Sequence, residues 1–137
     1  MLGPLDHVGY LTSDLDGTVE EFRARFALDV VRPVDLPQYS ILGLFLGSGS
    51  ASVEIFTFTD AALLRERLGA ERIVLDHAAH EVRDIDAAAA ALGAAGVRFC
   101  GPDRRNEVTE PIQLGAVRHL WTVPDSACGQ SIQLLQR

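Results

Sequence analysis

The segment His7–Asp16 reads HVGYLTSDLD, and the segment His77–Asp86, seventy residues further on, reads HAAHEVRDID. In both segments a histidine lies in an apolar run, and an Asp-(Leu/Ile)-Asp triplet follows seven residues later. An amphipathic helical pattern comes next in each, where Ser13 or Asp14, and Asp84, can accept hydrogen bonds from the free N–H groups of the first turn. The internal repeat therefore predicts two copies of one supersecondary unit.

The rest of each half has the pattern of short strands bounded by Gly, Pro and Ser. The strands of the first half are predicted at Val30–Val31, Tyr39–Leu46 and Ala51–Phe58, with a hairpin turn over residues 47–50. Those of the second half are predicted at Val97–Phe99, Pro111–Val123 and Gln130–Gln136. A short linking helix is predicted over Asp60–Leu68, closed by Gly69. Each half is then β-α-β-β-β.

We therefore expect an α+β protein of one domain, in which two tandem βαβββ modules form a curved, barrel-like mixed sheet around a central cleft. The first module and its linking helix are expected to span residues 1–69, and the second module residues 70–137. Half a chain of this size cannot bury a sheet face alone. The modules are therefore expected to pair, either within one chain or across a homodimer.

The composition, 47% hydrophobic and 23% charged, is that of a globular protein. With 12 basic and 19 acidic residues, and a net charge of −7, the chain is a poor candidate for binding nucleic acid or a membrane surface, because both need clustered Lys and Arg. The sequence shows no bilayer-spanning run and no secretory signal pattern. We expect a cytoplasmic protein whose partner is a small-molecule substrate.

Each half also places one polar residue in the apolar run of its closing strand, Glu54 within VEIF and Gln133 within IQLL. Strand alternation would turn the apolar neighbours towards the helices and the two polar groups towards the cleft, where the matched His7 and His77 also lie. Two imidazoles, a carboxylate and an amide oxygen suit one divalent metal ion such as Zn, Ni, Co, Mn or Fe. The alternative is that Glu54 and Gln133 face solvent on edge strands.

By these residues the chain resembles the vicinal-oxygen-chelate superfamily, which includes glyoxalase I, methylmalonyl-CoA epimerase, type I extradiol dioxygenases and bleomycin-resistance proteins. The segments LDHVGY at Leu5–Tyr10, LDH at Leu75–His77 and SIQLL at Ser131–Leu135 look most like methylmalonyl-CoA epimerases. The resemblance implies a single divalent metal ion in the cleft. It implies these metal ligands: His7, Glu54, His77 and Gln133.

Two positions depart from the epimerase pattern. The closing-strand ligand of epimerases and glyoxalases is typically a glutamate that also moves a proton, whereas Gln133 cannot act as a carboxylate base. The other expected base falls near Leu42, in a stretch that has no acid. The remaining candidates for a catalytic role in proton transfer are Glu54 itself, Glu81 and His119.

Three functions fit these features. The favoured one is a metal-dependent isomerase or lyase, in which the ion polarises a carbonyl or thioester oxygen and stabilises the enolate, as in methylmalonyl-CoA epimerisation and glyoxalase chemistry. The second is a protein of the bleomycin-resistance type that sequesters a drug or natural product. The third is a non-haem Fe(II) dioxygenase, for which His7, His77 and Glu54 would supply two histidines and one carboxylate.

Overall fold

The computed structural model describes residues 2–47 and 52–137. In these ranges the chain forms three helices, α1 Leu15–Phe26, α2 Ala61–Leu68 and α3 Ile85–Ala94. The strands are β1 Leu5–Thr12, β2 Asp29–Leu36, β3 Ile41–Gly47, β4 Ser52–Phe58, β5 Ile73–Glu81, β6 Phe99–Cys100, β7 Glu107–Val108, β8 Ile112–Leu114, β9 Val117–Thr122 and β10 Ile132–Gln136. None of the three helices has the length and apolar character needed to cross a bilayer.

The chain divides into two compact units. The N-terminal unit is His7–Asp76, and the C-terminal unit is His77–Arg137 together with the segment that ends at Asp6. Each unit contains a helix that follows the first strand of its repeat, so the α+β class and the strand-helix-strands order of both repeats are confirmed. The first repeat has the predicted βαβββ order, and in the second the helix is followed by five strands, β6 to β10.

In the N-terminal unit the strands follow the order β2-β3-β4-β1. Strand β1 is parallel to β4, and the other two pairings are antiparallel. The N-cap of helix α1 is Asp14, whose side chain accepts a hydrogen bond from the Gly17 N–H at 3.1 Å. Because an unpaired N–H at a helix start is costly, this cap fixes where the strand ends and the helix begins.

The two faces of this sheet bury different apolar clusters. One face packs against α1 through buried Val19, Leu46 and Ile55. The other face packs against α2, in a cluster made of Leu11, Ile41, Phe56, Phe58, Leu63 and Leu68. Side chains of a strand alternate between faces, so β4 contributes Ile55 to the first cluster and Phe56 and Phe58 to the second.

In the C-terminal unit the strands follow the order β5-β10-β9-β6-β7, and β8 pairs with β9. Strand β10 is parallel to β5 and antiparallel to β9, which repeats the arrangement of β4 with β1 and β3. The Asp84 side chain caps α3 by accepting from the Ala87 N–H at 3.0 Å. The buried core against α3 consists of Val82, Ile85, Ala88, Phe99, Leu120 and Leu134.

Several strand predictions are wrong in detail, among them Val97–Phe99, where the strand β6 is Phe99–Cys100. Tyr39 belongs to a 3₁₀ turn, Pro37–Tyr39, which ends at Ser40 in a left-handed conformation (φ 56°), so β3 begins only at Ile41. Strand β2 runs from Asp29 to Leu36 rather than over two residues.

The predicted strand Pro111–Val123 is also two strands, β8 and β9, separated by Gly115 at φ 61°. Glycine adopts this backbone conformation without a steric penalty, which allows the tight reversal. Most of the predicted turn at residues 47–50 lies outside the described residues.

Candidate metal centre

The N-terminal unit brings a histidine and a glutamate together on adjacent parallel strands. Gly9 of β1 pairs with Glu54 of β4, so His7, two residues before Gly9, lies on the same face as Glu54. The His7 Nε2 atom is 3.3 Å from the Glu54 Oε2 atom, and both residues are buried, at 4% and 8% exposure. The prediction that Glu54 points away from the helix is confirmed, since its neighbours Val53 and Ile55 pack in the cluster against α1.

An aromatic ring borders this pair. Phe45 of β3 is the register partner of Glu54, and its ring centroid is 4.9 Å from that of His7, with the rings at 89°. On β2, the register partner of Phe45 is Arg32, whose guanidinium carbon is 3.9 Å from the centroid of the Phe45 ring. The imidazole therefore has an aromatic neighbour that also carries a stacked cation.

The C-terminal unit places His77 on β5 and Gln133 on β10, both buried, at 6% and 4% exposure. Gln133 donates from Nε2 to the Nδ1 atom of His119 at 3.0 Å. The His119 ring in turn stacks on Trp121, with centroids 5.4 Å apart and planes at 16°. The neighbours Ile132 and Leu134 pack in the core against α3, so the predicted facing of Gln133 is confirmed.

The carbonyl oxygen of Gln133 stands out among the buried polar atoms. Within residues 2–47 and 52–137, Gln133 Oε1 is buried and accepts no hydrogen bond. Leaving a buried acceptor unsatisfied costs about 1–3 kcal/mol, so such an atom is usually satisfied by something else. The expectation that Glu54 and Gln133 could instead face solvent is wrong, because both are buried.

Three of the four predicted ligands form a compact group. Potential ligand atoms of His7, Glu54 and His77 lie within 4.8 Å of one another, and all three residues are buried. Two imidazoles and one carboxylate are ligands that suit a borderline divalent metal ion. This group could therefore hold such an ion.

The other predicted catalytic residues lie elsewhere. Glu81, the last residue of β5 and four residues after His77, has an Oε2 atom 3.5 Å from Arg137 Nη1, with almost half of the side chain exposed. His119 joins the site residues through Gln133. Leu42 pairs with Asp35 and Thr57 and is 42% exposed.

Strand β3 contributes no acid to the face of Glu54. Its residues on that face are Ile41, Gly43 and Phe45, which are the register partners of Phe58, Phe56 and Glu54. At Gly43 a Cβ atom would lie 2.6 Å from the Ile55 carbonyl oxygen, so a larger side chain would have to displace backbone there. An acidic side chain at position 43 would therefore not fit without a shift of the backbone.

Arg32 is the feature that sequence reasoning missed. The sequence analysis assigns only Val30–Val31 to this strand, which leaves Arg32 in a loop. Pro33 follows directly and is compatible only with an edge strand, and β2 is indeed at one end of the strand order of its unit. A longer edge strand through Pro33 would have put Arg32 opposite a residue of β3.

The family comparison agrees with this fold. The model of the glyoxalase/bleomycin resistance protein/dioxygenase superfamily matches residues 6–111. The chain belongs to this superfamily, which confirms the resemblance inferred from the sequence. No curated protein sequence matches significantly.

Solved structures with the same fold include methylmalonyl-CoA epimerases. A variant of the Streptomyces coelicolor enzyme in complex with 2-nitronate-propionyl-CoA has a TM-score of 0.84 and 23% identity, covering 99% of this chain and 95% of that chain. The Mycobacterium tuberculosis enzyme has a TM-score of 0.83 and 22% identity, covering 98% and 88%. A hypothetical protein from Bacillus halodurans has a TM-score of 0.82 and 18% identity, covering 98% and 94%. At these identities the likeness establishes the fold.

Proposed function

We propose that this protein is a divalent-metal-dependent isomerase or lyase that acts on a small carbonyl or acyl-thioester compound. The observation that carries the proposal is the buried group His7, Glu54 and His77, whose ligand atoms lie within 4.8 Å of one another. Burying a carboxylate is costly unless it is paired or coordinates a metal. A bound ion would offset the cost of burying the Glu54 carboxylate.

The residues fit a divalent ion on a second ground. Gln133 Oε1, buried and without a hydrogen-bond partner in the described ranges, is an oxygen donor of the kind that completes such a site. We propose it as the fourth ligand. Zn, Ni, Co, Mn and Fe all accept imidazole and oxygen ligands, so the ligand types leave the identity of the ion to measurement.

When bound, a divalent ion supplies Lewis-acid polarisation of a carbonyl or thioester oxygen, which acidifies the neighbouring C–H group. The protein must then move the proton. Glu54 is the carboxylate of the group and is the candidate base. His119 accepts from Gln133 at Nδ1, so its neutral ring carries the proton on Nε2, and it is the candidate hydrogen-bond donor to a substrate oxygen. Glu81 ranks below both, because its nearest ionic partner is Arg137.

The substrate class follows the similar structures. They include a methylmalonyl-CoA epimerase in complex with 2-nitronate-propionyl-CoA, which favours an acyl-thioester as the first class to test. A standard two-base epimerisation does not fit the residues on the face of Glu54, because β3 adds no acid there. We also propose that the protein is a homodimer, which light scattering of the purified protein tests. We propose that it is cytoplasmic, which cell fractionation tests.

The proposal is tested in two steps on protein purified without a histidine tag. Elemental analysis should find about one divalent ion per chain. The metal-loaded protein should then exchange the α-proton of an acyl-CoA or a hemithioacetal for deuterium in D₂O. Protein that carries an ion but exchanges no α-proton in either class contradicts the enzymatic proposal.

The composition of the group favours one second candidate. Two histidines and one carboxylate are the ligand set of non-haem Fe(II) oxygenases, and His7, His77 and Glu54 provide that set. Oxygen consumption by the Fe(II)-loaded protein with a catechol would support the dioxygenase over the isomerase. A protein that instead binds an apolar drug equally well with and without chelator would be the sequestering type.

A further inference from the structure

Arg32 is held in place by an aromatic ring rather than by a carboxylate. It lies on β2 as the register partner of Phe45, with its guanidinium carbon 3.9 Å from the ring centroid. A guanidinium stacked on an aromatic face keeps its N–H donors at the edge of its plane, where they can still bind a planar anion. Stacking also restricts a long side chain that would otherwise sample many rotamers.

The charge of Arg32 is not neutralised within the protein. Across residues 2–47 and 52–137 its side chain makes no hydrogen bond and no ion pair, whereas arginines such as Arg72, Arg98 and Arg118 are paired with carboxylates. This holds although the chain has 19 acidic residues against 12 basic ones. Arg32 is exposed and, unlike Arg25, lies over an aromatic ring next to His7, so an anion from solution can reach its guanidinium there.

The position of Arg32 relates it to the candidate metal ligands. The ring that carries the guanidinium is 4.9 Å from the His7 ring, centroid to centroid, and His7 is 3.3 Å from Glu54. Both the guanidinium carbon (3.9 Å) and the imidazole centroid (4.9 Å) are measured from the Phe45 centroid. The guanidinium carbon therefore lies no farther from the imidazole centroid than these two distances added together. All four residues lie on one face of the N-terminal unit, because they are register partners or alternate neighbours.

We propose that Arg32 is a specificity-determining residue that binds a carboxylate of the substrate, while the carbonyl or thioester group of the same molecule is held at His7, Glu54 and His77. The substrate class is then a short acid that carries a carbonyl function close to its carboxylate. The planar fork of the guanidinium matches a carboxylate through two parallel hydrogen bonds. The inference rests on the proposed function, since it needs a ligand bound at the same group.

Two small probes that differ only in charge test this. Malonamate has one carboxylate and one amide, and malonamide has two amides. Calorimetric titration of the zinc-loaded wild-type protein should show malonamate binding at least about tenfold tighter, the usual contribution of a charge-assisted hydrogen bond. Arg32→Gln should abolish that preference, and Arg32→Lys should retain part of it, since the charge stays but the fork is lost.

Arg25 provides a matched control. It is also exposed and also lacks an ion-pair partner in the described residues, but it lies on α1, so Arg25→Gln should keep the full preference. If Arg32→Gln retains the malonamate preference while the ion is bound, Arg32 has no such role and the inference is overturned. If the wild-type protein binds no ion, the proposed function fails and this inference fails with it. Measuring zinc content before each titration separates the two results.

Discussion

The two units have the same pairing of the closing strand, but the polar residue on that strand is charged in one unit and neutral in the other. In the N-terminal unit the closing strand β4 presents Glu54, which contacts the histidine of β1. In the C-terminal unit the closing strand β10 presents Gln133, which contacts a histidine of β9 instead. The closing strand pairs in the same way in both units, parallel to the first strand and antiparallel to its other neighbour, while the residue at the matched position differs.

This difference has an electrostatic consequence for a bound ion. In the proposed site Glu54 would be a single carboxylate among neutral ligands, so a divalent ion would keep a net positive charge and would polarise an oxygen more strongly than it would beside two carboxylates. The same difference removes one group that could carry a proton. We call the C-terminal unit with Gln133 the amide half and the N-terminal unit with Glu54 the carboxylate half. In the proposed site the amide half would serve binding and orientation, and the carboxylate half would serve charge and proton transfer.

The largest expected effect comes from removing the histidine of β5. His77→Ala should lower the bound metal from about one ion per chain to a small fraction, because it deletes one of the four proposed protein ligands. The measurement is elemental analysis after dialysis against a weak chelator. His80→Ala is the matched control on the same strand, since His80 Nδ1 contacts the Gly3 carbonyl oxygen at 3.0 Å. If His77→Ala keeps as much metal as His80→Ala, His77 is not a metal ligand.

The second effect tests the carboxylate half. Glu54→Gln keeps the shape of the side chain but removes the charge, so metal affinity should fall by about 100-fold. The metal-free variant should melt no lower than the metal-free wild type, because a buried carboxylate is costly to desolvate. Thermal melts with and without zinc measure both quantities. A metal-free variant that melts well below the metal-free wild type would show that Glu54 is retained for stability.

The parts of this comparison differ in how far the sequence could predict them. The repeat, the capping residues Asp14 and Asp84, and the facing of Glu54 and Gln133 follow from periods of two and 3.6 residues, which are local properties. The contact between Gln133 and His119 joins residues on two strands whose register the sequence leaves open. That register depends on the connection between β9 and β10, which contains a 3₁₀ turn at Pro124–Ser126 and whose geometry the sequence does not fix.

The third effect tests the amide half by making it resemble the carboxylate half. Gln133→Glu should raise metal affinity by about tenfold, because a charged oxygen replaces a neutral one among the ligands. It should also speed α-proton exchange, since a second carboxylate base is introduced. Competition with a metal indicator and deuterium incorporation measure the two effects. An unchanged affinity would mean that Gln133 Oε1 lies outside the coordination sphere.

The smallest expected effect concerns the contact that orients the amide. The amide N–H of Gln133 donates to His119, which leaves the carbonyl oxygen without that contact. If Gln133 is the proposed fourth ligand, His119 would act as a positioning residue for it. His119→Phe keeps an aromatic ring beside Trp121 but removes the acceptor, so metal affinity should fall by about tenfold. A zinc titration with the same indicator measures it, and circular dichroism checks the fold.

A double-mutant cycle separates this positioning role from packing. In a Gln133→Glu background either oxygen of the carboxylate can face the ion, so no contact is needed to choose between oxygen and nitrogen. The loss of affinity caused by His119→Phe should therefore shrink in that background, which gives a non-zero coupling between positions 119 and 133. If His119→Phe costs the same affinity in both backgrounds, the histidine acts through packing against Trp121 rather than through the amide.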